Sequence, residues 1–381
     1  MTLSSRFADH LCQHYPALKA ENLEAILSPQ LLSPHKVSLP KFLLQQIELT
    51  IQSFQQLREL PDYQNWAAQT WGPLWNPGNY GVFMSYDFHV TADGHLKLIE
   101  INTNASFLGL GWEMARFQGV PWNAAFHLAD LKQCFEMERQ LCGLSKPLRQ
   151  IAIVDDNPTQ QKLYLEFLLF REVFKSWGLS ATIADLRDHA TLKNADFVYN
   201  RSTDFYFQSE SLQFLKDLYL KKDAVVSPHP YEYRLLADKE NFVRWTSPQF
   251  WQDVPQALSL QSQILSVLPN TTILNSSNRD EIWAKRKHLF FKPKRAFGSK
   301  MTFKGASIAH KVFEELVQSE SLAQELIPAP ELRFGEQNFK YDLRCYAYRG
   351  QYQGCVARLY QGQVTNLRTE GGGFACVEFK D

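Results

Sequence analysis

One short segment constrains the fold of this chain more than any other. The runs at 82–90 and 96–102 are rich in apolar residues, and turn-forming residues separate them. Within that turn, the pair Asp93-Gly94 is a strong signal for a hairpin. The segment therefore predicts two antiparallel strands that face each other early in the chain.

Three side chains of this hairpin carry oxygen donors. Glu100 and Asn102 lie two positions apart and share one face of their strand, and the turn places Asp87 across from them. Mg²⁺ prefers such ligands and usually takes one or two carboxylates together with water and substrate phosphates. Ile99 and Ile101 flank Glu100, so its carboxylate is expected beside a hydrophobic layer and in need of a cation. We predict Asp87, Glu100 and Asn102 as metal ligands, with solvent-facing charges as the alternative.

Basic residues in the second half of the chain predict a phosphate-binding region. Lys292 follows two phenylalanines in a predicted strand at 289–293, and a buried lysine needs an anion to keep its charge. The loop at 294–300 contains exposed N–H groups and positive side chains that suit phosphates, but it lacks the P-loop spacing. An ordinary turn is the alternative for the loop, and a solvated lysine is the alternative for Lys239 at a helix start. The candidate phosphate ligands are Lys239, Lys292, Lys294, Gly298 and Ser299.

A predicted strand at 322–327 runs into Pro328 and Pro330. A strand that ends at a proline leaves backbone donors and acceptors unpaired, and an adenine edge can use one of each. Glu331 could accept hydrogen bonds from ribose hydroxyls, although a solvated glutamate is the alternative. The candidate nucleotide-binding residues here are Gln324, Glu325, Ile327 and Glu331.

Two arginines lie within alternating, strand-like segments near the C-terminus. Arg344 shares a strand face with Asp342, so an ion pair between them is the alternative to a catalytic role. Arg358 has no acidic residue two positions away, which makes it the better candidate for a phosphate-binding fork. Arg344, Arg358 and Lys292 are the predicted catalytic residues.

The middle of the chain has a different pattern. Short apolar runs at 150–155, 180–185 and 195–200 alternate with helical periodicity, which predicts βαβ units and a small parallel sheet. The predicted division is an N-terminal helical region 1–80, hairpin strands and a helix 81–148, a Rossmann-like domain 149–235, a small lobe 236–326 and further strands 327–381.

Taken together, these motifs resemble the ATP-grasp superfamily. The lysine at a helix start, the lysine strand with its loop, the hinge, the ribose acid and the Asp342–Arg344 strand follow the family order. The hairpin at 82–102 stands early instead of late, so the sequence resembles a circularly permuted member of the glutathionylspermidine synthetase type. The resemblance implies an α+β and α/β fold, with two lobes that clasp ATP and a Rossmann-like domain before them.

The resemblance also implies an activity. A carboxylate would attack the γ-phosphate of Mg²⁺–ATP, and an amine would then attack the acylphosphate. The expected partners are a small-molecule or peptide-like carboxylate and an amine. Relatives hold the acceptor near the segment 198–204, which makes Asn200, Arg201 and Asp204 substrate candidates together with Asn366, although a helix cap and an ion pair are the alternative there. Ser85 stands where several relatives have an arginine, which puts one phosphate contact in doubt.

Composition excludes several other classes of protein. Lys+Arg and Asp+Glu both number 40, so the balance gives no reason to expect nucleic acid or a membrane surface as partner. The six cysteines form no CxxC pair, and neither a secretory signal nor a long apolar run is visible. A cytoplasmic protein, with a homodimer as one option, is the simplest expectation.

The sequence is also compatible with two other functions. A nucleotide-binding regulator that has lost its chemistry is one, because Ser85 replaces an expected arginine. A phosphotransferase that stops at a phosphorylated product is the other. An amine requirement for ADP release would separate a ligase from a kinase.

Overall fold

The computed structural model describes residues 1–294, 302–319 and 321–381. In this part of the chain the α-helices are α1 Leu3–His14, α2 Leu23–Ile26, α3 Lys41–Glu59, α4 Pro61–Trp71, α5 Leu108–Gln118, α6 Leu131–Leu141, α7 Tyr164–Ser176, α8 His189–Asn194, α9 Gln213–Lys221, α10 Pro230–Glu232, α11 Glu240–Trp245, α12 Pro248–Asp253, α13 Gln261–Val267, α14 Arg279–Lys285 and α15 His310–Gln318. A π-helical turn, Tyr233–Ala237, follows α10. Short 3₁₀ helices occur at Pro16–Ala20, Leu128–Asp130, Pro158–Gln160, Glu210–Leu212, Pro255–Leu260, Arg286–His288 and Gly305–Ser307.

The strands form three sheets. They are β1 Leu32–Pro40, β2 Met84–Val90, β3 Leu96–Asn102, β4 Gln150–Asp155, β5 Ser180–Asp185, β6 Phe197–Asn200, β7 Val225–Ser227, β8 Thr271–Ile273, β9 Leu289–Lys292, β10 Phe303–Lys304, β11 Leu322–Glu325, β12 Glu331–Phe334, β13 Gln337–Tyr348, β14 Gln351–Tyr360 and β15 Gly373–Lys380. The largest sheet has the order β1-β15-β14-β13-β2-β3, with β12 also paired to β13. It therefore unites early and late parts of the chain.

The predicted hairpin is confirmed as β2 and β3, with Gly94 in the left-handed conformation that this turn requires. β2 pairs with β13 so that Arg344 lies opposite Asp87. The early strands that carry the candidate metal ligands and the late strands that carry the arginines therefore belong to one sheet.

The sequence predicts a helical region over residues 1–80, but the structure shows that this region also contains a strand. β1 lies within residues 1–80 and pairs in parallel with β15 at the edge of the large sheet. The strand contains Pro34 and Pro40, which made it difficult to predict. Proline cannot donate a hydrogen bond to a ladder and occurs in sheets mainly on edge strands. Val37 and Leu39 bury their side chains in the core, so the strand is held by packing as well as by pairing.

A β-bulge in the hairpin decides which way the acidic residues point. Asp87 pairs with Glu100, but Phe88 pairs with Leu98, so Ile99 is an extra residue on β3. Leu98 and Glu100 would share a face in a regular strand, yet Leu98 lies in the apolar core and Glu100 is partly exposed. The expectation that both neighbours of Glu100 point toward a hydrophobic layer is therefore correct for Ile101, which is buried, and wrong for Ile99, which is not.

Two smaller sheets complete the architecture. The four parallel strands β5-β4-β6-β7 confirm the small parallel sheet that the middle of the chain predicts. The third sheet has the order β10-β9-β11-β8 and packs on α14 and α15 through Phe291, Phe313 and their neighbours. Its β9 and β11 carry Lys292 and Gln324, which lie diagonally across the ladder because Lys292 pairs with Leu322.

Apolar side chains cover one face of the large sheet. One cluster includes Tyr86, Leu343 and Ala357 and packs against α3, which supplies Ile47 and Phe54. The opposite face carries the polar residues of the candidate site. Among the described residues, no helix combines the length and the apolar character that crossing a membrane requires.

Candidate active site

Asp87 lies at the centre of a buried charge cluster on the large sheet. Arg344 donates to both of its carboxylate oxygens, with Nε–Oδ1 3.0 Å and Nη2–Oδ2 2.7 Å. Arg358 Nη2 donates to Oδ2 at 2.8 Å, and the Ser85 hydroxyl donates to Oδ1 at 3.1 Å. Burial by itself raises the pKa of Asp87, but Arg344 and Arg358 outweigh that effect and hold it well below its usual range.

The pairing of the arginines differs from the sequence prediction. The suggested Asp342–Arg344 ion pair is wrong, because Arg344 pairs with Asp87 across the β2–β13 ladder. Asp342 instead accepts from Arg358 Nε at 2.5 Å, although Arg358 had been expected to lack an acidic partner. The reason is register, since Arg358 lies directly opposite Asp342 on the neighbouring strand.

Thr365 extends this cluster into the loop after β14. Its hydroxyl donates to Asp342 Oδ2 at 2.6 Å. Asn366 organises the same loop, since its amide donates to the carbonyls of Gln361 and Val364 and its oxygen accepts from Arg368 N. The loop therefore packs against the arginine cluster, and the substrate role of Asn366 remains a prediction.

Glu100 and Asn102 form the more open part of the hairpin face. The Glu100 side chain is 34% exposed, whereas that of Asp87 is completely buried. Asn102 Nδ2 donates to Glu100 Oε1 at 3.2 Å and approaches Asp87 Oδ2 at 3.4 Å. The structure thus brings the three predicted metal ligands together, but in two different environments.

Lys292 reaches the hairpin from the third sheet, β10-β9-β11-β8, hereafter the small sheet. Its Nζ donates to Gln324 Oε1 at 2.8 Å and to the carbonyl oxygen of Ile99 at 3.2 Å. Ile99 is the bulge residue, and a bulge frees a carbonyl from regular pairing. The bulge therefore has two effects: it turns Glu100 outward, and it gives the lysine of the other sheet a contact.

Glu100 interacts electrostatically with both Lys239 and Lys292 and raises the pKa of each. Burial lowers the pKa of Lys292 to about 8; Glu100 opposes the shift and Lys239 adds to it. Burial also lowers the pKa of Lys239, against the effects of Glu100 and Asp238. Two partly desolvated lysines beside one carboxylate make a place where an anion such as phosphate would be stabilised.

The predicted hinge lies beside the hairpin. His89 Nδ1 donates to the carbonyl oxygen of Ile327 at 2.9 Å, which connects β2 to the segment after β11. Gln324 and Glu325 point to opposite sides of β11: Gln324 contacts Lys292, whereas Glu325 Oε2 accepts from Asn270 N at 3.1 Å. An adenine contact by Glu325 would therefore have to come from its backbone.

The remaining nucleotide candidates are less well placed. Glu331 begins β12 with an exposed side chain. Lys294 lies 4.0 Å from the Glu240 carboxylate. The predicted phosphate-loop residues Gly298 and Ser299 lie outside the described residues.

The substrate candidates Asn200 and Arg201, which follow β6, form hydrogen bonds with other residues of the protein. Asn200 Oδ1 accepts from Ser202 N at 3.0 Å. Arg201 Nη1 donates to the Asn104 side chain and to the carbonyl of Ala105, the latter at 3.1 Å. Arg201 thus ties the parallel sheet to the segment that follows Asn102, and its substrate role remains a prediction.

Asp204 acts as a cap for its own loop, because Oδ2 accepts from Gln208 N at 2.8 Å and from Ser209 N at 2.6 Å. It also lines a cavity of about 230 Å³ together with Tyr206, Tyr233 and Lys294. This cavity adjoins the turn before α11, where Lys239 lies. Asp204 therefore lines a space large enough for part of a substrate.

The donor set fits Mg²⁺ only in part. The oxygens of Asp87 already accept from two arginines and Ser85, so a metal ion there would have to displace one of them. Glu100 retains free lone pairs, and a half-turn of the Asn102 amide would present its oxygen to the same space. Glu100 and Asn102 are thus the better ligands.

Sequence reasoning missed His89 and Thr365, and it treated Ser85 only as the position of an expected arginine. Each of the three bonds to a predicted residue or to the hinge, yet none belongs to a motif. Alternation along β2 was the available signal for Ser85 and His89, since both lie two positions from Asp87 and share its face. No comparable signal marked Thr365, which lies in a loop.

Comparison with known proteins supports the fold. No protein-family model matches the chain, and no curated protein is significantly similar in sequence. A glutathione synthetase-like effector (GSS30) from Globodera pallida, solved in its apo form, aligns over 92% of this chain and 90% of its own, with a TM-score of 0.54 and 13% identity. The two chains therefore share their overall fold.

Two further solved structures are more distant. A putative γ-glutamylcysteine synthetase from Methylobacillus flagellatus KT aligns over 84% of each chain at 11% identity, with a TM-score of 0.43. The ATP-grasp ligase PsnB, solved with a minimal precursor, aligns over 57% of this chain and 78% of its own at 12% identity, with a TM-score of 0.29. At such TM-scores neither contributes to the argument.

Proposed function

We propose that this protein is an ATP-dependent ligase that activates a carboxylate as an acylphosphate and joins it to an amine, with release of ADP and phosphate. The observation that carries the proposal is the junction between the small sheet and the hairpin. There, Lys292 contacts the Ile99 carbonyl, and Lys239 and Lys292 both interact electrostatically with Glu100. Two lysines opposite one carboxylate suit a metal-bound triphosphate.

The residues of this junction would act by position and charge. Lys239 and Lys292 would bind phosphate oxygens and offset the negative charge that moves toward the leaving ADP. Gln324 holds Lys292 from the side of the small sheet, through its bond of 2.8 Å to Nζ. Arg344 and Arg358 are already paired with carboxylates, so in this arrangement they fix the sheet face and add positive potential beside it.

Glu100 and Asn102 would hold one Mg²⁺, and a second ion would require Asp87 to release an arginine. When bound, Mg²⁺ supplies neutralisation of the phosphate charge and a template for its orientation. The side chains themselves keep the ion at the rim of the cleft, where the partial exposure of Glu100 leaves room for phosphate and water.

The amine is proposed to approach through the cavity lined by Asp204, Tyr206 and Asp238. Acidic and aromatic side chains together attract an ammonium group. The same cavity is bordered by Lys294, which follows the lysine strand, so an amine there would be near the phosphate end of the cleft. The carboxylate substrate would occupy the space between the two lysines and the arginine cluster.

We further infer that the chain is circularly permuted relative to other ATP-grasp enzymes. The support is topological, because β2 and β3 come early in the chain yet extend the sheet that β13 and β14 build. Joining the C-terminus to the N-terminus would place β2 and β3 after β15. A chain that starts at Ser145 and links Asp381 to Met1 has this order and places the new termini in the exposed connection between α6 and β4, so it should fold and bind nucleotide as the natural chain does. Failure of the permuted chain alone to fold would count against this inference but not against the activity.

The activity is tested by following ADP release from Mg²⁺–ATP with mixtures of carboxylates and amines. A ligase releases ADP only when both classes of substrate are present. ADP release with the carboxylate alone and accumulation of a phosphorylated product would identify a phosphotransferase instead.

A regulatory protein is the second candidate, and the saturation of Asp87 favours it. A metal ligand committed to two arginines is what a site no longer under selection for catalysis would show. Nucleotide binding without ADP release under every substrate mixture would support this reading.

A further inference from the structure

A second group of metal-ligating side chains lies outside the proposed cleft residues. His10 and His14 lie one turn apart on α1, and Glu113 lies on α5. The ligand atoms of all three lie within 4.8 Å of one another. Histidines at this spacing project from one helix face, and two imidazoles with a carboxylate form a donor set typical of zinc.

Glu113 is a completely buried carboxylate with partners that fix its position. His10 Nε2 bonds to Oε2 at 2.9 Å, and the Tyr15 hydroxyl donates to Oε1 at 2.6 Å. Arg116 Nη1 donates to both oxygens, at 3.0 and 3.1 Å. A metal ion would take the place of the proton between His10 and Glu113, while Tyr15 and Arg116 continued to orient the carboxylate from outside.

The two histidines are prepared for ligation in different ways. His14 Nδ1 donates to the carbonyl oxygen of His10 at 2.9 Å, which leaves the lone pair of Nε2 for a metal ion. His10 Nε2 already lies 2.9 Å from Glu113 Oε2, so one ring nitrogen and one carboxylate oxygen face each other where the ion would bind. His14 is exposed, which gives an ion a route from solvent and leaves room for water.

We propose that His10, His14 and Glu113 bind one divalent transition-metal ion, with Zn²⁺ as the best match. Three protein ligands and one water would complete the tetrahedral shell that zinc prefers. The ion would fasten α1 to α5, the helix that follows the hairpin strands. Its role is structural and is independent of the ligase activity proposed above.

The test is titration of the metal-free, full-length protein with Zn²⁺ by isothermal calorimetry. We expect one ion per chain and a higher unfolding temperature with Zn²⁺ than with a chelator. His14→Ala should weaken binding by at least about tenfold, because loss of even an outer partner commonly costs that much. His14 is exposed, so its replacement leaves the core intact.

His310→Ala is the matched control. His310 is also an exposed helical histidine near a glutamate, 3.5 Å from Glu314, and its loss should leave Zn²⁺ affinity unchanged. Substitution with Co²⁺ should give the absorption of a four-coordinate ion in wild type and lose it in His14→Ala. Equal affinity in wild type and His14→Ala, or an adventitious ion only, bound as weakly as at single surface histidines, would overturn the proposal.

Discussion

Asp87 and Glu100 are direct neighbours across one hairpin, yet they occupy two different environments. Asp87 is enclosed by Arg344, Arg358 and Ser85, and its lone pairs are used within the protein. Glu100 is partly open and interacts with lysines of the other sheet. The contrast shows that neighbouring carboxylates can differ in role: Asp87 stabilises the sheet, whereas Glu100 stays accessible to a ligand.

The largest expected effect is a loss of stability when the buried carboxylate, Asp87, is replaced. Asp87→Asn leaves Arg344 with only the more distant carboxylate of Glu100, 3.9 Å away, and Arg358 with only Asp342, and removing one partner of a buried pair costs about 3–5 kcal/mol. Urea denaturation measures the loss. Asp93→Asn, in the exposed turn of the same hairpin, should leave the free energy of unfolding close to that of wild type. Equal stability of both variants would show that Asp87 does not hold the arginines.

The second effect is a loss of turnover when the partly exposed carboxylate, Glu100, is replaced. Glu100→Gln keeps the size of the side chain but removes its charge, so turnover should fall at least about 100-fold, as for the loss of one transition-state contact. The free energy of unfolding should change by less than about 1 kcal/mol, because the side chain is partly exposed. ADP release and urea denaturation on the same preparation give both values. Undiminished activity would remove Glu100 from the metal site.

A third and smaller effect follows from Lys292. Its pKa of about 8 means that the side chain loses its proton as pH rises from 7 to 9. Because the charged form binds phosphate, affinity for a non-hydrolysable ATP analogue should fall about tenfold over that range, or about 1.4 kcal/mol. Calorimetric titration at several pH values measures the slope. Lys292→Met should bind more weakly and lack this pH dependence; an unchanged slope would assign the titration to another group.

The smallest effect concerns Ser85. Its hydroxyl donates to Asp87 at 3.1 Å, so Ser85→Ala should cost about 1 kcal/mol of stability, the net value of one hydrogen bond. Activity should remain, since Ser85 supports Asp87 and not Glu100. A large loss of activity at unchanged stability would mean that Ser85 contacts the substrate.

Local signals in the sequence predicted the main elements of the fold. The Asp-Gly turn located the hairpin, and alternation located β13, β14 and β15, because both signals depend on neighbouring residues only. The helix α7 and the parallel strands around it follow from short-range periodicity as well. β1 was missed because its segment was included in the predicted helical region 1–80, and its two prolines are unusual within a strand; pairing with β15 overrides that local preference.

Side-chain partners were predicted less well, because they depend on register between distant strands. Asp342 and Arg344 share a strand face, which suggested a pair, but each bonds across a ladder to a different strand. The bulge at Ile99 leaves no clear mark in the sequence, yet it decides the direction of Glu100. Such features arise from the packed sheet as a whole.

The central claim is that a nucleotide binds between Lys292 and the hairpin. Thermal unfolding with and without Mg²⁺ and a non-hydrolysable ATP analogue, in wild type and Lys292→Ala, tests it most directly. At 100 times its dissociation constant the ligand should stabilise wild type by about 2.7 kcal/mol, and this gain should disappear in Lys292→Ala. An equal gain in both proteins would place the nucleotide elsewhere, and no gain in either would contradict the account.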